Sequence, residues 1–415
     1  MSKKQRFLIF VEAVSMAHVT RSWSLAQRLV ELGHEVHFAC PIQWVGVLNA
    51  EAIAQRLEIK WHQLNSMTPG EFERAIEWGL PFADEPKISL YVEEEKKLIE
   101  EVEPDWVVGD FRMSLNFSSK EMQVPYITLV NAYWTPEEQS EINHVPCSGY
   151  ERYLGVRLNR MIFQLIGKGK MQGMMEPYNS VARRRGMRPF TSLQDLYSSG
   201  DVRWYADVAS LFPAASQKPQ SFFVGPLSWA SELSDPPWWS DFLDSQGKPK
   251  VLISLGSTGD HRLLQRWIQH TLPSLPFQFA VTTSQRSSLL GRKSQNVFVT
   301  DFLNFERASQ FIDVAVTNGG SASSYQILRS GVPVLAVCRN LDQMFFSERL
   351  QAFGAGLAIR SPDGKTHTFV KSLESLLEGQ FKSRARSLVP KIAFYQSYDM
   401  VGDLSSLNSS PAKSA

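Results

Sequence analysis

A chain of 415 residues is long enough to form two domains of ordinary size. Its hydrophobic fraction of 43% and charged fraction of 20% are typical of a soluble globular protein, and its net charge of +1 gives no global argument for a nucleic-acid or acidic partner. Three cysteines, at positions 40, 147 and 338, are too far apart in sequence to suggest a metal site or a disulfide framework, which favours a reducing cytoplasm. The apolar run near the N-terminus suits a buried strand better than a signal peptide, and no run approaches the roughly 20 residues that a membrane span needs.

The first half of the chain opens as a β-turn-α-β unit. Its predicted parts are a strand over residues 6–14, a turn over 15–20 that holds His18, a helix that ends at Gly33, and a strand over 35–39. The segment from Glu12 to Thr20 contains no glycine, which argues against the glycine-rich motif of dinucleotide-binding enzymes.

Two further strands are predicted over residues 105–109 and 126–130, and Asp110 follows the first of them. Residues 150–170 form a basic, amphipathic stretch interrupted by glycines. Two interpretations stay open for this stretch: a helix whose apolar residues pack inward, or the wall of a pocket or a membrane-surface contact for an apolar substrate.

Prolines cluster between residues 212 and 250, which indicates a linker before a second α/β pattern. The strands predicted after it cover residues 251–255, 277–281, 297–300, 313–316 and 333–337. Short apolar strands that alternate with helices predict parallel sheets in both halves. Residues 404–415 are polar and are expected to be disordered.

The stretch from Asp313 to Gln343 carries the strongest signal for a binding site. After a strand comes Thr317-Asn318-Gly319-Gly320, and hydroxyl residues then begin a helix. Glycines before a helix let the backbone approach a ligand closely, and a helix N-terminus suits a phosphate. An ordinary tight turn is the alternative interpretation of the Asn-Gly pair.

Five segments together resemble the family 1 (UDP-glycosyltransferase-like) glycosyltransferases, over nearly the whole chain. They are AHVTRSWSLAQRLVELGHEVHFACP, PDWVVGDF with VPYITL, FFVGPL, VLISLGST, and the stretch from NVFVTDFL through VTNGGSASSYQ to NLDQ. The resemblance implies an α/β fold of two Rossmann-like domains whose parallel sheets face each other across a cleft, the GT-B fold. The implied divisions are residues 1–225 as an acceptor-binding domain, 226–249 as a linker, 250–385 as a nucleotide-sugar-binding domain, and 386–415 as a C-terminal helix that returns to the first domain, followed by a disordered tail.

The resemblance also implies roles for individual residues. His18 would be the catalytic base and Asp110 its partner. The donor would be bound by Gly256, Ser257, Thr258, Phe302, Asn318, Gly319, Gly320, Ser321, Ser323, Gln326, Asp342 and Gln343. For Asp342 the alternative interpretation is a helix N-cap.

The chain departs from the family pattern at several of these positions. Asn318 stands where the family has a phosphate-contacting histidine, and Gln326 stands where plant members have a ribose-binding glutamate. Phe302 replaces a tryptophan that stacks on uracil. Ala17 replaces the glycine before His18, and the proline that follows G-H-x-x is Ser22 or absent.

The expected activity is an inverting, metal-independent hexosyltransferase of secondary metabolism. It would move a hexose from a nucleotide diphosphate sugar, UDP-linked, to a hydroxyl of an apolar small molecule or lipid. The sugar nucleotide is a co-substrate, no cofactor is expected, and no D-x-D pair is present to hold a metal. Contact with nucleic acid is not expected; the expected location is the cytoplasm, with peripheral membrane contact as an open alternative.

Two other classes of protein remain open at this stage. One is a catalytically weak or auxiliary sugar-nucleotide-binding protein on the same fold, and the other is a sugar-nucleotide epimerase. Acceptor contacts are expected from residues 60–90 and 131–180.

Overall fold

The structure is a computed structural model. It describes residues 4–44, 57–138, 147, 151–227, 233–244, 247–256, 258–285, 289–361, 366–396, 398–402 and 404, and only the backbone of 151–154, 156, 164 and 168. The chain forms two compact units: Met1–Ile142, Ser148–Trp229 and Ser397–Ala415 make the first, and Asn143–Cys147 and Ala230–Gln396 make the second.

The first unit is built on a sheet of seven parallel strands in the order β3-β2-β1-β4-β5-β6-β7. The strands are β1 Arg6–Val11, β2 Glu35–Ala39, β3 Lys60–His62, β4 Trp106–Asp110, β5 Tyr126–Val130, β6 Val202–Tyr205 and β7 Ser221–Phe223. The central strands are buried along almost their whole length because helices cover the sheet, as in other parallel sheets. Val11 and Asp110 are in register, so β1 and β4 end side by side.

Six α-helices are found among the described residues of the first unit. They are α1 Met16–Glu31, α2 Pro69–Trp78, α3 Glu85–Val102, α4 Leu115–Glu121, α5 Glu151–Arg184 and α6 Leu193–Tyr197. Helix α2 begins with a capping box in which the Thr68 side chain and Glu71 exchange hydrogen bonds with each other's backbone, and α3 begins at the N-cap Asp84. Helix α5 contains a non-helical residue, Gly155, with a φ of 74°.

The second unit also has a seven-stranded sheet, in the order β10-β11-β9-β8-β12-β13-β14. Its strands are β8 Lys250–Ser254, β9 Gln278–Thr282, β10 Gly291–Arg292, β11 Val297–Thr300, β12 Val314–Thr317, β13 Val334–Cys338 and β14 Gly356–Arg360. All neighbouring pairs are parallel except β10 with β11. The helices are α7 Trp239–Leu243, α8 His261–Arg266, α9 Phe305–Ala308, α10 Ser321–Leu328, α11 Leu341–Phe353, α12 Thr366–Leu376 and α13 Gly379–Phe394.

The predicted α/β class with two parallel-sheet, Rossmann-like units is confirmed. The strands predicted over residues 35–39, 126–130 and 297–300 have the predicted bounds. Others are displaced by one residue, and the first strand ends at Val11 rather than at residue 14. Such shifts at the ends of elements are ordinary, because apolar residues continue into the turns.

Three local expectations are wrong. His18 lies in the first turn of α1 rather than in a loop, because α1 begins at Met16. The C-terminal helix begins at Gly379 and lies in the second unit, whereas the chain rejoins the first unit only from Ser397. Leu404, expected in a disordered tail, is fully buried beside Met400 in the core of the first unit.

Of the basic stretch predicted over residues 150–170, residues 151–170 lie within helix α5 and residue 150 lies outside the described residues. The inward-packing interpretation fails for much of this helix. Leu158, Met161, Leu165 and Ile166 are all exposed. No helix among the described residues is both long and apolar enough to cross a membrane.

Candidate active site

The candidate catalytic pair lies where β1 and β4 end. Asp110 is the last residue of β4, and His18 lies one turn into the helix that follows β1. The His18 Nδ1 atom is 2.6 Å from Asp110 Oδ1. The carboxylate is fully buried, whereas the imidazole retains 16% of its side-chain exposure. A hydrogen bond from Nδ1 to the carboxylate fixes the tautomer in which Nε2 can accept a proton.

Asp110 is held by more than His18. Its Oδ2 atom accepts hydrogen bonds from Arg21 Nε at 2.6 Å and from Ser22 Oγ at 2.8 Å, while Oδ1 also accepts one from Arg21 Nη2. Burial by itself would raise the pKa of Asp110, but the nearby charges of Arg21 and His18 and their hydrogen bonds hold that pKa below its ordinary value. The carboxylate is therefore ionised and has four hydrogen-bond donors.

Arg21 is the functional residue that sequence reasoning missed. It is buried, it makes a two-point contact with Asp110, and its Nη1 donates to Asn131 Oδ1 at 2.6 Å. Its Nη2 lies 3.1 Å from His18 Nδ1, so both groups are aimed at Asp110 Oδ1. Counting G-H-x-x-P from Ala17 puts the proline position on Arg21 rather than Ser22. A charged residue at that position was the signal that could have identified it.

An apolar pocket lies beside this pair in the first unit. Phe111 follows Asp110 directly, and its ring centroid is 5.3 Å from that of His18. The backbone of Phe111 is in the left-handed region, with a φ of 56°, which is rare for a bulky residue and typical of functional sites. The pocket is lined by Glu12, Met67, Phe82, Ala83, Tyr91, Phe111, Met113, Ser114 and Tyr178.

Polar groups also line the pocket. The Tyr91 hydroxyl is buried and has no hydrogen-bond partner among the described residues. The Tyr91 ring lies under the guanidinium of Arg112, 3.8 Å from its centroid, and Arg112 donates to Glu12 Oε2 at 2.8 Å. A buried hydroxyl without a partner is costly, so this atom points to a group that a ligand or water would supply.

The predicted donor turn occupies the carboxyl end of β12 in the second unit. Gly319 has a φ of 84°, and a Cβ atom there would lie 2.5 Å from Ser347 Oγ and 2.9 Å from Cys338 Sγ. Only glycine fits such a position without displacing its neighbours. Gly320 is the N-cap of α10, so the first backbone N–H groups of that helix lie at the turn. There they would stabilise a bound anion.

The side chain of Asn318 is engaged within the turn. Its Oδ1 accepts from the Gly320 N–H at 3.0 Å, and its Nδ2 donates to Thr258 Oγ1 at 3.1 Å. Gly256, with a φ of 58°, lies on the other side of that amide: an added Cβ would be 3.2 Å from Asn318 Nδ2. The loops after β8 and β12 therefore meet through Asn318 and Thr258.

Gln343 belongs to the same cluster. It forms a capping box with Asn340 at the start of α11, and its Nε2 donates to Thr258 Oγ1 at 3.1 Å. The N-cap is Asn340, so the alternative interpretation of Asp342 as the cap is wrong. Asp342 lies in the first turn of α11 and is half-buried.

The remaining predicted donor residues lie on the same edge of the second sheet or close to it. Phe302 follows β11 and keeps 38% of its surface exposed, as a stacking residue would. Ser321, Ser323 and Gln326 lie in α10 and are half-buried, with Ser323 Oγ donating to the Gly320 carbonyl at 3.3 Å. Ser257 lies outside the described residues. Among the residues that are described, no group of three or more His, Cys, Asp or Glu side chains could hold a metal ion.

Solved structures with the same architecture are glycosyltransferases. The glycotransferase of kitacinnamycin superimposes with a TM-score of 0.68 at 17% identity, covering 98% of this chain and 99% of that one. The spinosyn rhamnosyltransferase SpnG gives a TM-score of 0.67 at 16% identity, covering 97% and 100%. SpnG has also been solved with thymidine diphosphate. At this level of identity the likeness shows the GT-B fold.

Curated relatives match at higher identity, although no protein-family model matches the chain. The "PGL/p-HBAD biosynthesis rhamnosyltransferase" of Mycobacterium bovis (strain BCG / Pasteur 1173P2) is 32% identical over 402 residues, covering 97% of this chain and 86% of the relative. The "PGL/p-HBAD biosynthesis glycosyltransferase" of Mycobacterium tuberculosis (strain ATCC 25177 / H37Ra) is 31% identical over 389 residues, covering 93% and 88%. An "Inactive PGL/p-HBAD biosynthesis glycosyltransferase" of the same M. bovis strain is 30% identical over 265 residues, covering 64% and 70%. The chain belongs to this family of GT-B glycosyltransferases and is a hexosyltransferase.

Proposed function

We propose that this protein transfers a hexose, with inversion and without a metal ion, from a nucleotide diphosphate sugar to a hydroxyl group of an apolar small-molecule or lipid acceptor. The observation that carries the proposal is the contact of 2.6 Å between His18 Nδ1 and the buried, ionised Asp110. A histidine oriented in this way is the arrangement that general-base catalysis near neutral pH requires.

The proposed reaction is a single displacement. His18 Nε2 takes the proton of the acceptor hydroxyl as its oxygen forms a bond to the anomeric carbon. The bond from that carbon to the diphosphate oxygen breaks, and the nucleotide diphosphate leaves with the electron pair. Attack from the face opposite the leaving group inverts the anomeric centre. Asp110 stabilises the imidazolium that forms, as a buried carboxylate does in other histidine-based sites.

The donor would be bound by the turn of the second unit. The diphosphate would lie on the N-terminus of α10 beyond Gly320, and the base would stack on exposed Phe302. The rhamnosyltransferase among the relatives makes rhamnose the first sugar to test. Uridine is the nucleotide that the resemblance to family 1 implies, and the thymidine diphosphate bound by SpnG makes thymidine-linked donors the second choice.

Part of the acceptor would lie in the small pocket beside Phe111, which has room for about one water-sized group. Its lining is mostly aromatic and methionine side chains, which suits an apolar body, and the unpartnered Tyr91 hydroxyl would bond a polar group on it. Because Phe111 contacts the His18 ring, a molecule in this pocket would have a route to the base. Cys40 and Cys338 are buried thiols that form no disulfide among the described residues, which supports a reducing compartment such as the cytoplasm as the place of action.

A second candidate function is an auxiliary protein that binds sugar nucleotides and turns over slowly. Two observations favour it. The side-chain amides of Asn318 and Gln343 each donate a hydrogen bond to Thr258 Oγ1, and one relative carries the name "inactive". Neither amide carries the positive charge that would strengthen a hydrogen bond to a diphosphate. The intact His18–Asp110 contact favours catalysis instead.

The two candidates are separated by mass spectrometry of products after incubation with uridine- and thymidine-linked sugars and a library of phenols and lipid alcohols. For the enzyme we expect a product one hexosyl or deoxyhexosyl unit heavier than its acceptor. His18→Ala should abolish the product while leaving nucleotide-diphosphate affinity unchanged, because His18 lies in the first unit and the donor turn in the second. His62→Ala, at another histidine of the first unit, serves as the matched control and should retain activity. Near-normal turnover by His18→Ala would remove His18 as the base.

A further inference from the structure

Helix α5 presents an exposed apolar surface that the proposed reaction does not use. Leu158, Met161 and Leu165 follow one another at spacings of three and four residues, so they share one face of the helix, and Ile166 lies next to them. Leu165 is 80% exposed and Met161 is 58% exposed, values far above those of side chains that pack inward. These four residues are called the apolar stripe below.

The sequence around the apolar stripe is strongly basic. Between residues 152 and 175 the chain has five Lys and Arg residues and no Asp or Glu, in a protein whose net charge is only +1. Arg157 and Arg160 are exposed within the stripe region, and Arg157 lies one helical turn before Met161. Long basic side chains in such positions can extend along an apolar surface and keep their charges in water.

The far end of the stripe region is anchored to another part of the first unit. Lys170 donates a hydrogen bond to the carbonyl of Trp78 at 3.4 Å, and its Cδ atom lies 3.3 Å from the position that a Cβ on Gly79 would take. Leu80, the next residue, is 46% exposed. An exposed apolar residue thus lies two positions after the Trp78 carbonyl that Lys170 contacts.

We propose that the apolar stripe and its arginines bind the surface of a lipid bilayer that contains anionic lipids. Apolar side chains on one face with basic side chains beside them are what an interfacial helix needs, and each basic residue near an anionic surface adds to the attraction. The complete lack of acidic residues over this stretch favours an anionic surface over a mixed-charge protein surface. The inference does not depend on the proposed reaction, because binding to vesicles can be measured without turnover.

The test is co-sedimentation of the full chain with vesicles of two compositions, phosphatidylcholine alone and an equimolar mixture with phosphatidylglycerol. We expect the chain to bind the mixed vesicles more tightly, and added salt to weaken that binding because it screens the charges. The double variant Met161→Ser, Leu165→Ser should bind the mixed vesicles at least about tenfold more weakly, because two exposed side chains lose their transfer into the bilayer. Arg157→Gln with Arg160→Gln should remove much of the preference for phosphatidylglycerol.

Leu90→Ser is the matched control. Leu90 is 59% exposed on α3, beside Glu93 and Glu94, and its replacement should leave vesicle binding unchanged. Absence of wild-type binding to the mixed vesicles, or equal binding by the wild type and the serine double variant, would overturn the proposal. A doubled mass in solution that the serine double variant loses, without any vesicle binding, would assign the surface to a second copy of the chain and would also overturn it.

Discussion

Arg21 shares the carboxylate of Asp110 with His18. A histidine beside a lone buried carboxylate gains the full attraction of that charge when it becomes protonated. Here the guanidinium of Arg21 already contacts both carboxylate oxygens, so part of the charge is compensated before the base takes up a proton. Arg21 is thus a positioning residue, one that holds Asp110 ionised and in place.

The prediction at the residue scale concerns Arg21→Gln. Without the guanidinium, burial raises the pKa of Asp110, and the carboxylate becomes protonated at a higher pH than in the wild type. A protonated Asp110 no longer stabilises the imidazolium that forms during the reaction, so the acidic limb of the pH profile of kcat/KM should move upward by about one pH unit, equivalent to about 1.4 kcal/mol. Turnover near neutral pH should fall accordingly. Pre-steady-state or steady-state rates across the pH range of stable folding provide the measurement.

Arg21→Lys is the matched control for this prediction. It keeps a positive charge near Asp110 but loses the two-point contact, so its acidic limb should stay close to the wild-type position. A purely structural Arg21 would lower activity without moving the limb. A folded Arg21→Gln variant with an unmoved acidic limb would therefore contradict the assigned role.

At the scale of elements, the donor turn depends on Gly319. Gly319→Ala combines an unfavourable backbone conformation with an overlap against Ser347 and Cys338. We expect a loss of about 2–4 kcal/mol in the free energy of unfolding, and weaker nucleotide-diphosphate binding because the turn must shift. Chemical denaturation followed by fluorescence, with calorimetry of nucleotide binding, measures both.

Gly291→Ala measures how much the backbone conformation alone, without steric overlap, lowers the free energy of unfolding. Gly291 has almost the same φ, 85°, but nothing lies within 4 Å of an added Cβ. That variant should lose only about 1 kcal/mol and bind nucleotide normally. Equal losses in the two variants would mean that the overlap at Gly319 is relieved without cost.

Asn318 is the second test of the same turn. Asn318→Ala removes the acceptor of the Gly320 N–H and the donor to Thr258, so we expect nucleotide-diphosphate affinity to fall by about 1–3 kcal/mol. Asn318→His introduces the residue that the resemblance to family 1 implies at this position, and it should preserve or improve donor use if the ring fits beside Gly256. Equal donor affinity and turnover in the wild type and both variants would show that Asn318 does not face the phosphates.

At the scale of the whole molecule, the prediction concerns metal ions. The proposed reaction stabilises the leaving diphosphate with the N-terminus of α10 and neighbouring side chains rather than with a cation. We therefore expect full transferase activity after incubation with EDTA and desalting. Loss of activity that Mg²⁺ or Mn²⁺ restores would contradict a metal-independent mechanism.

Much of the fold can be predicted because its strands are short and almost wholly apolar. Residues 126–130 and 297–300 are such runs, bounded by turns, and their local composition is sufficient to place them. The position of Asp110 at the end of β4 follows from the same reasoning. The start of α1 cannot be predicted in this way. Ser15 makes no side-chain cap hydrogen bond, and the apolar run before it continues past the last residue of β1.

The sequence by itself determined the α/β class, the order of the strands along the chain, the likeness to glycosyltransferases of the GT-B fold and the candidate pair of His18 and Asp110. Those features depend on local composition and on motifs of a few residues. The tertiary structure alone decided that Arg21 contacts a carboxylate 89 positions away, that Gln343 bonds Thr258, and that the apolar stripe of α5 faces outward. The physical reason is that hydrophobic periodicity shows which face of a helix is apolar but not whether another element covers it, and a hydrogen bond between distant residues depends on how the strands that carry them are arranged in the sheet.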